Sequence, residues 1–256
     1  MPTAHAPDSH TGSSRAPGRG LGQSRKLGPA RLGPIVGLPP STVHRVLVRH
    51  GLSRLCYMDR ISGRVIRRIE TERVGELVHI DVKKLAKIPP GGGWRVHGRE
   101  WGKPRSHRVG YAYIHSAIDA HSRLAYSEIR DNTQGQTAAA FFERAMAFFE
   151  AHGITIERVL TDNGSCYRSR DFARLLIAAS IVHTFTRPYH PATNGKAERY
   201  NRTLLDEWAY VRAYGSEAVR RRALDRWLHS YNHHRHHTAV GGPPISRVNN
   251  VVGQYT

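Results

Sequence analysis

Apolar and polar residues alternate with two different periods along this chain, and the changes of period outline a fold. Leu77, His79 and Asp81 fall on one side of an extended run, and Val78, Ile80 and Val82 on the other. That two-residue repeat predicts a strand with Asp81 on its less apolar face. Residues 111–118 and 124–129 read as two more strands, with Asp119-Ala120-His121-Ser122-Arg123 as the hairpin turn between them. Over 137–152 the period lengthens. Ala138, Phe141, Phe142, Ala145, Phe148 and Phe149 recur at helical spacing and predict one apolar face packed into a core. Strands are predicted at 154–160 and 181–186, and helices at 171–179, 195 to about 213, and 217–231. Residues 187–193 form a loop holding two prolines. Three strands followed by alternating helices and strands predict an α/β fold: a five-stranded mixed sheet with helices on both faces.

The front of the chain is different. Residues 1–27 are rich in Pro, Gly, Ser and His and predict a disordered arm. In 28–56, Val43, Val46 and Leu47 recur at helical spacing, Ser41 is the expected N-cap, and Gly51 the expected stop. A short helix, a turn through residues 37–40 and a second basic helix predict a helix-turn-helix, although Pro34 should disturb the first helix. Residues 57–75 form a basic linker, 76–237 the main domain, and 238–256 a C-terminal tail. Residues 84–108 predict a long loop or irregular hairpin. Its Gly91-Gly92-Gly93 is no phosphate loop, because the Lys-Ser/Thr pair of such a loop is missing.

Charge then narrows the function. The 256 residues hold 39 Lys and Arg against 20 Asp and Glu, a formal net charge of +19 with a pI near 10.7. Residues 1–75 alone carry 13 basic and 4 acidic side chains. Such a balance points to a polyanionic partner, nucleic acid first. The two cysteines, Cys56 and Cys166, make neither a metal-ligand pair nor a disulfide framework, which suits a reducing cytosol. No apolar run approaches the ~18 residues of a membrane span, and Met1 to Gly20 lack a signal-peptide core. The expected location is the cytoplasm, in association with the nucleoid.

Three acids stand out within this basic chain. Asp81 sits in Val78-His79-Ile80-Asp81-Val82, inside a strand where Asp is disfavoured. Asp162 lies in Val159-Leu160-Thr161-Asp162-Asn163-Gly164, and Glu198 in Asn194-Gly195-Lys196-Ala197-Glu198-Arg199, with thirty-five residues between the two acids. Taken singly, Asp-Asn-Gly is a turn signature and Glu198 an ordinary helical Glu able to pair with Arg202. Taken together, their order, settings and spacing suit a carboxylate trio that holds two divalent cations ~3.5–4 Å apart for phosphodiester chemistry.

The surrounding blocks carry a resemblance. They are His79-Ile80-Asp81-Val82-Lys83-Lys84, Asp119 with Ser122-Arg123-Leu124, Thr161-Asp162-Asn163-Gly164, Thr186-Arg187-Pro188-Tyr189-His190-Pro191, Asn194 to Arg202, and Tyr231-Asn232. With these the chain resembles insertion-sequence transposases of the DDE type, whose catalytic core is similar to retroviral integrase. The resemblance implies a ribonuclease-H-like fold for 76–237. It implies Asp81, Asp162 and Glu198 as catalytic metal ligands for two Mg²⁺ or Mn²⁺ ions. It also implies DNA cleavage and strand transfer at the terminal inverted repeats of a mobile element, by at least a dimer on DNA. Ser41, Thr42, Arg45, Arg49, Asn163, Asn194, Lys196, Arg199 and Arg202 are the expected DNA contacts. Asp119 reads as a turn residue. The tract from His229 to His237 has no cysteine nearby and reads as surface or phosphate contact rather than zinc. Similar transposases carry two N-terminal helix-turn-helix units and this chain has room for one. That leaves an alternative, a catalytically idle, truncated transposase acting as a DNA-binding competitor or repressor. A ribonuclease-H-type nuclease is a third reading, disfavoured by the helix-turn-helix and by the block ending at Arg202.

Overall fold

A computed structural model of the chain describes residues 27–50, 52, 71–101, 109–186 and 194–248. The chain separates into two compact units, residues 1–68 and 69–256. In the first unit, helix α1 (Pro29–Val36) and helix α2 (Pro40–Arg49) are joined by a turn whose Gly37 adopts a left-handed φ of 65°. Leu32, Val43, Leu47 and Leu52 close a small apolar cluster between them. Pro34 is accommodated inside α1, where a helix this short forfeits only one backbone bond. Ser41 is not the N-cap of α2: Pro39 holds that position without a side-chain cap, and Ser41 lies inside the first turn. The expected arm at 1–26, the stop at Gly51, most of the linker, the loop 187–193 and the end of the tail from residue 249 lie outside the described residues.

The second unit is built on a five-stranded sheet of order β3-β2-β1-β4-β5. Its strands are β1 (Val78–Ala86), β2 (Tyr111–Asp119), β3 (Ala125–Arg130), β4 (Arg158–Thr161) and β5 (Val182–Phe185). β1 pairs antiparallel with β2, and β2 with β3, whereas β4 runs parallel to both β1 and β5. The sheet is therefore mixed, with β1 at its centre. The remaining helices are α3 (Trp94–His97), α4 (Gly135–Ala151), α5 (Arg170–Ala178), α6 (Gly195–Leu204) and α7 (Glu217–His233).

Helices cover both faces, and the strand alternation sorts the core accordingly. On one face Val78, Ile80 and Ala117 meet Ala138, Phe141, Phe142, Ala145 and Phe149 of α4 and Phe172 and Leu176 of α5. On the other, Leu85, Ile114 and Ile118 meet Ala197, Tyr200 and Leu204 of α6 and Leu224 and Tyr231 of α7. Ser169 caps α5 by accepting the Phe172 N–H, and Ser216 caps α7 by accepting that of Val219.

Three boundaries differ from expectation for identifiable reasons. Residues 84–86 extend β1 and 94–97 form a helical turn, where the sequence suggested only loop. The apolar run before Asp162 gives a strand of four residues rather than seven. Ile154 and Ile156 are buried, but the backbone there is engaged by the segment at Gly75, whose carbonyl accepts the Glu157 N–H. A Cβ on Gly75, at φ 78°, would fall 2.0 Å from the Thr155 carbonyl oxygen, so only glycine permits this approach. Third, the helix from Gly195 does not continue to 213; it loosens into a π-helical turn at Leu205–Ala209 and stops.

That turn is locked by a buried charge. Arg220 of α7 is 1% exposed; its guanidinium donates to Glu217 Oε2 at 2.7 Å and to the Ala86 carbonyl at 2.9 Å. Its own carbonyl accepts the Trp208 indole N–H. Arg220→Ala should lower unfolding stability by ~3–5 kcal/mol, because Glu217 loses its buried partner, and Arg220→Met, which restores volume but not charge, should recover only a minor part of that loss. Urea unfolding of both variants checks this; near-complete recovery in Arg220→Met would refute the ion-pair origin.

Candidate functional site

Asp81 occupies the middle of β1, opposite Ser116 of β2, on the sheet face that α6 covers. Its Oδ1 accepts the Val82 N–H at 2.9 Å and its Oδ2 accepts the Asn201 side-chain amide at 2.7 Å. Burial pushes this carboxyl up to about 6; the Val82 bond opposes the shift, while the negative charges of Asp162 and Glu198 add to it. Asp162 and Glu198, distant from it in sequence, thus both lie within electrostatic reach of Asp81.

Asp162 follows the last residue of β4, at the end of the sheet where parallel strands deliver their C-termini. Its Oδ1 accepts the Gly164 N–H at 2.9 Å, closing a turn in which a Cβ on residue 164 would lie 2.9 Å from that same oxygen. The Asn163 side chain ties this turn to β5 by donating to the Thr186 carbonyl at 2.8 Å. Glu198 stands in the first turn of α6 and is exposed; an anionic side chain there is favoured by the helix dipole. Asp162 is exposed as well. Among the described residues no three His, Cys, Asp or Glu side chains converge closely enough to enclose a metal ion. The trio is electrostatically coupled without forming a closed ligand set.

The start of α6 is fixed by contacts the sequence did not announce. Asn194 is buried, and its Oδ1 sits 2.9 Å from Nδ1 of His79, also buried, two residues before Asp81. Burial drives the His79 imidazole down to about 4, against the Asn194 hydrogen bond, so the ring is neutral near pH 7. Asn194 is therefore spent inside the fold, not at the surface where a DNA contact was expected. Lys196 Nζ donates to the Ala120 carbonyl in the β2–β3 turn at 2.8 Å. Tyr200 hydrogen-bonds Ser127 Oγ at 2.6 Å, and Ser127 donates to Ser116 at 2.8 Å. Asn201, absent from the expected contacts, is the residue that holds Asp81. Its signal was an Asn in a helix interior, where the residue type is unfavourable without a partner.

Asp119 is fully buried and organises the β2–β3 turn. It accepts the Gly75 N–H at 2.9 Å, the His121 N–H at 3.1 Å, and the Ser122 N–H and hydroxyl at 2.6 and 2.7 Å. Those four donors make it a turn residue. Of the remaining expected DNA contacts, Arg199 and Arg202 are exposed on α6 and Asn163 is exposed beside Asp162. In the other unit Ser41, Arg45 and Arg49 are exposed on α2, while Thr42 is half-buried. Within the histidine tract, His229 and His234 approach to 3.3 Å between Nε2 atoms, and His229 stacks on His233.

Comparison with known proteins places this arrangement. Two family models, each described as Integrase core domain, match residues 71–191 and 179–244. An uncharacterized protein of Caenorhabditis elegans is 27% identical over 164 residues, covering 63% of this chain and 12% of that protein. An uncharacterized protein of insertion element IS136 from Agrobacterium fabrum is 26% identical over 156 residues, covering 57% of this chain and 76% of its relative. The chain thus spans only a small part of the nematode protein and most of the insertion-element one. A chain from the cryo-electron-microscopy structure of the simian T-cell lymphotropic virus intasome, in complex with PP2A regulatory subunit B56 gamma, superposes with a TM-score of 0.51. It is 17% identical, over 87% of this chain and 74% of that one. The fold is the ribonuclease-H-like one, with its mixed five-stranded sheet between helices. Residues 71–244 of the chain are thus similar, in two overlapping stretches, to integrase core domains.

Proposed function

We propose that the chain is a DDE-type transposase, which cleaves and joins DNA strands at the terminal inverted repeats of a mobile element. The observation that carries this reading is the coupling of Asp81 to Asp162 and Glu198: two strands and a helix bring two further carboxylates into electrostatic range of the one in the central strand. The match to an insertion-element protein, of which the chain covers 76%, supports the mobile-element setting.

The donor set suits Mg²⁺ or Mn²⁺. It offers only hard carboxylate oxygens, and the hydrogen bonds that Asp81 accepts come from neutral donors. Asp81, Asp162 and Glu198 would hold two such ions, which when bound supply an activated nucleophile and a neutralised leaving oxygen. The residues of the chain do the rest. Asn201 fixes the Asp81 rotamer, and the Asp162–Gly164 turn with its Asn163 anchor aims Asp162. Arg199 and Arg202, exposed beside Glu198, supply cationic contacts for DNA phosphates. Cleavage exposes a 3′-hydroxyl on the element end, and that hydroxyl attacks a target phosphodiester, so no covalent protein–DNA intermediate is required. The active assembly on DNA is at least a dimer, because two ends must be joined.

In a joining assay, a precleaved duplex with the terminal sequence of the DNA that encodes the chain is mixed with target plasmid and Mg²⁺ or Mn²⁺. Joined products are expected from the wild-type chain and should fall by at least ~10²-fold in Asp162→Asn, the scale on which removing an electrostatic contributor acts. DNA binding without joining would overturn the reading.

A pH dependence follows. Burial and like charge raise the Asp81 carboxyl to about 6, so below that pH its neutral form prevails and it is lost as a cation ligand. Apparent Mn²⁺ affinity, read by titration, should therefore weaken as pH falls from 7.5 to 5.5, and joining at limiting Mn²⁺ should fall with it. Raising the Mn²⁺ concentration at pH 5.5 should restore joining. An affinity flat across this window would exclude Asp81 as a ligand.

A further inference from the structure

Away from the three carboxylates, the second unit carries a groove of about 580 Å³ lined by Trp94, Arg95, Val96 and Arg99 on one side and Tyr210 and Arg212 on the other. Its makeup is unusual for an exposed surface. Trp94 is 48% exposed and Tyr210 39%, and Val96 and Val211 beside them are exposed too. The Arg95 guanidinium lies 4.6 Å from the Tyr210 ring centroid and 5.0 Å from that of Trp94, and Arg212 lies 4.9 Å from that of Tyr214. Among the described residues, no carboxylate lines the groove. The two walls are α3, in the long connection between β1 and β2, and the segment where the chain leaves the π-helical turn at Leu205–Ala209. Trp208 and Tyr214, on either side of that exit, are buried, and Tyr214 donates to the Trp208 carbonyl at 2.8 Å. The intervening Tyr210 and Val211 are thereby held outward on an anchored loop.

Aromatic faces interleaved with guanidinium groups match a particular ligand. A base pair inside a duplex hides its faces in the stack, whereas an unpaired base offers one to an aromatic ring while its phosphates meet arginines. The volume falls within the ~300–1,000 Å³ of sites that enclose a small organic ligand, room enough for a nucleotide. We propose that this groove binds unpaired DNA, stacking a base on Trp94 or Tyr210 and pairing its phosphates with Arg95, Arg99 and Arg212. The proposal rests on the reading of the chain as a DNA-processing enzyme, in which strand cleavage exposes such segments.

The test compares the full chain's binding to oligothymidylate with its binding to an abasic oligomer of the same length, by fluorescence anisotropy. Basic residues elsewhere bind both, so the ratio of the two affinities isolates the stacking. The wild-type chain should prefer oligothymidylate by about tenfold or more, and Trp94→Ala or Tyr210→Ala should each remove most of that preference while leaving abasic binding intact. Trp94→Phe should retain it. Arg95→Ala should weaken both probes. No preference in the wild-type chain, or a preference that survives both alanine variants, would overturn the proposal. So would a self-association that Trp94→Ala abolishes with the preference unchanged, which would make the groove a contact between copies. Joining is assayed in parallel. Stacking without joining removes the transposase reading and leaves the groove; joining without stacking does the reverse.

Discussion

The constraint on which the second unit turns is a carboxylate placed in the central strand of its sheet. β1 is the middle strand, Asp81 lies opposite Ser116 of β2, and two further acids approach it from the end of β4 and from α6. Desolvation and like charge both oppose its ionised form. What the fold offers in return are a backbone N–H and the Asn201 amide, which solvate the charge without cancelling it. A strand selected for stability alone would place an apolar or small neutral residue here. The surrounding residues are best understood as the means by which an uncompensated charge is tolerated at one fixed point.

Helix α6 is the chief of those means. Ala197, Tyr200 and Leu204 form the stripe that buries it against the sheet, and polar contacts set its position along and around its axis. Asn194 meets His79 at the first turn, and Asn201 meets Asp81 two turns on, so the helix is pinned twice to the same strand. The first pin needs a proton on His79 Nδ1, and burial keeps the ring otherwise neutral. A protonated His79 would add a charge two residues from Asp81 and change the balance the site depends on. Pinning also decides where Glu198 goes: with the apolar stripe inward, it emerges at the solvent side of the first turn.

Much of this was legible in the chain because periodicity reports burial. The alternation around Asp81 and the Phe141–Phe142–Phe149 face of α4 follow from which side meets the core. Of the acids, only Asp81 breaks a local rule, as an Asp within a strand; Asp162 and Glu198 stand out through their order, settings and spacing. Boundaries set by tertiary contact were not. Ile154 and Ile156 keep the strand pattern and are buried, yet Gly75 takes the place of a strand partner. Nothing local in 205–209 marks the π-helical turn, whose Trp208 donates to the carbonyl of Arg220 on α7. The Asn194–His79 pairing spans 115 residues, and Asn at a helix start reads equally well as a cap or a surface contact. Long-range polar pairing is the information that a single sequence's periodicity does not hold.

The charge of the chain and the charge of the site pull in opposite directions. A net +19 draws a polyanion toward the surface as a whole. At the trio itself, a phosphate would meet three carboxylates and be repelled. On the proposed reading the conflict resolves through the cations: each ion relieves the repulsion within the trio and creates an attraction for the incoming phosphate. Cation binding and DNA binding then favour one another, and by linkage the coupling is the same in both directions. A site whose acids were neutralised by internal arginines would lose that coupling. The neutral donors at Asp81, Val82 N–H and the Asn201 amide, are what preserve it.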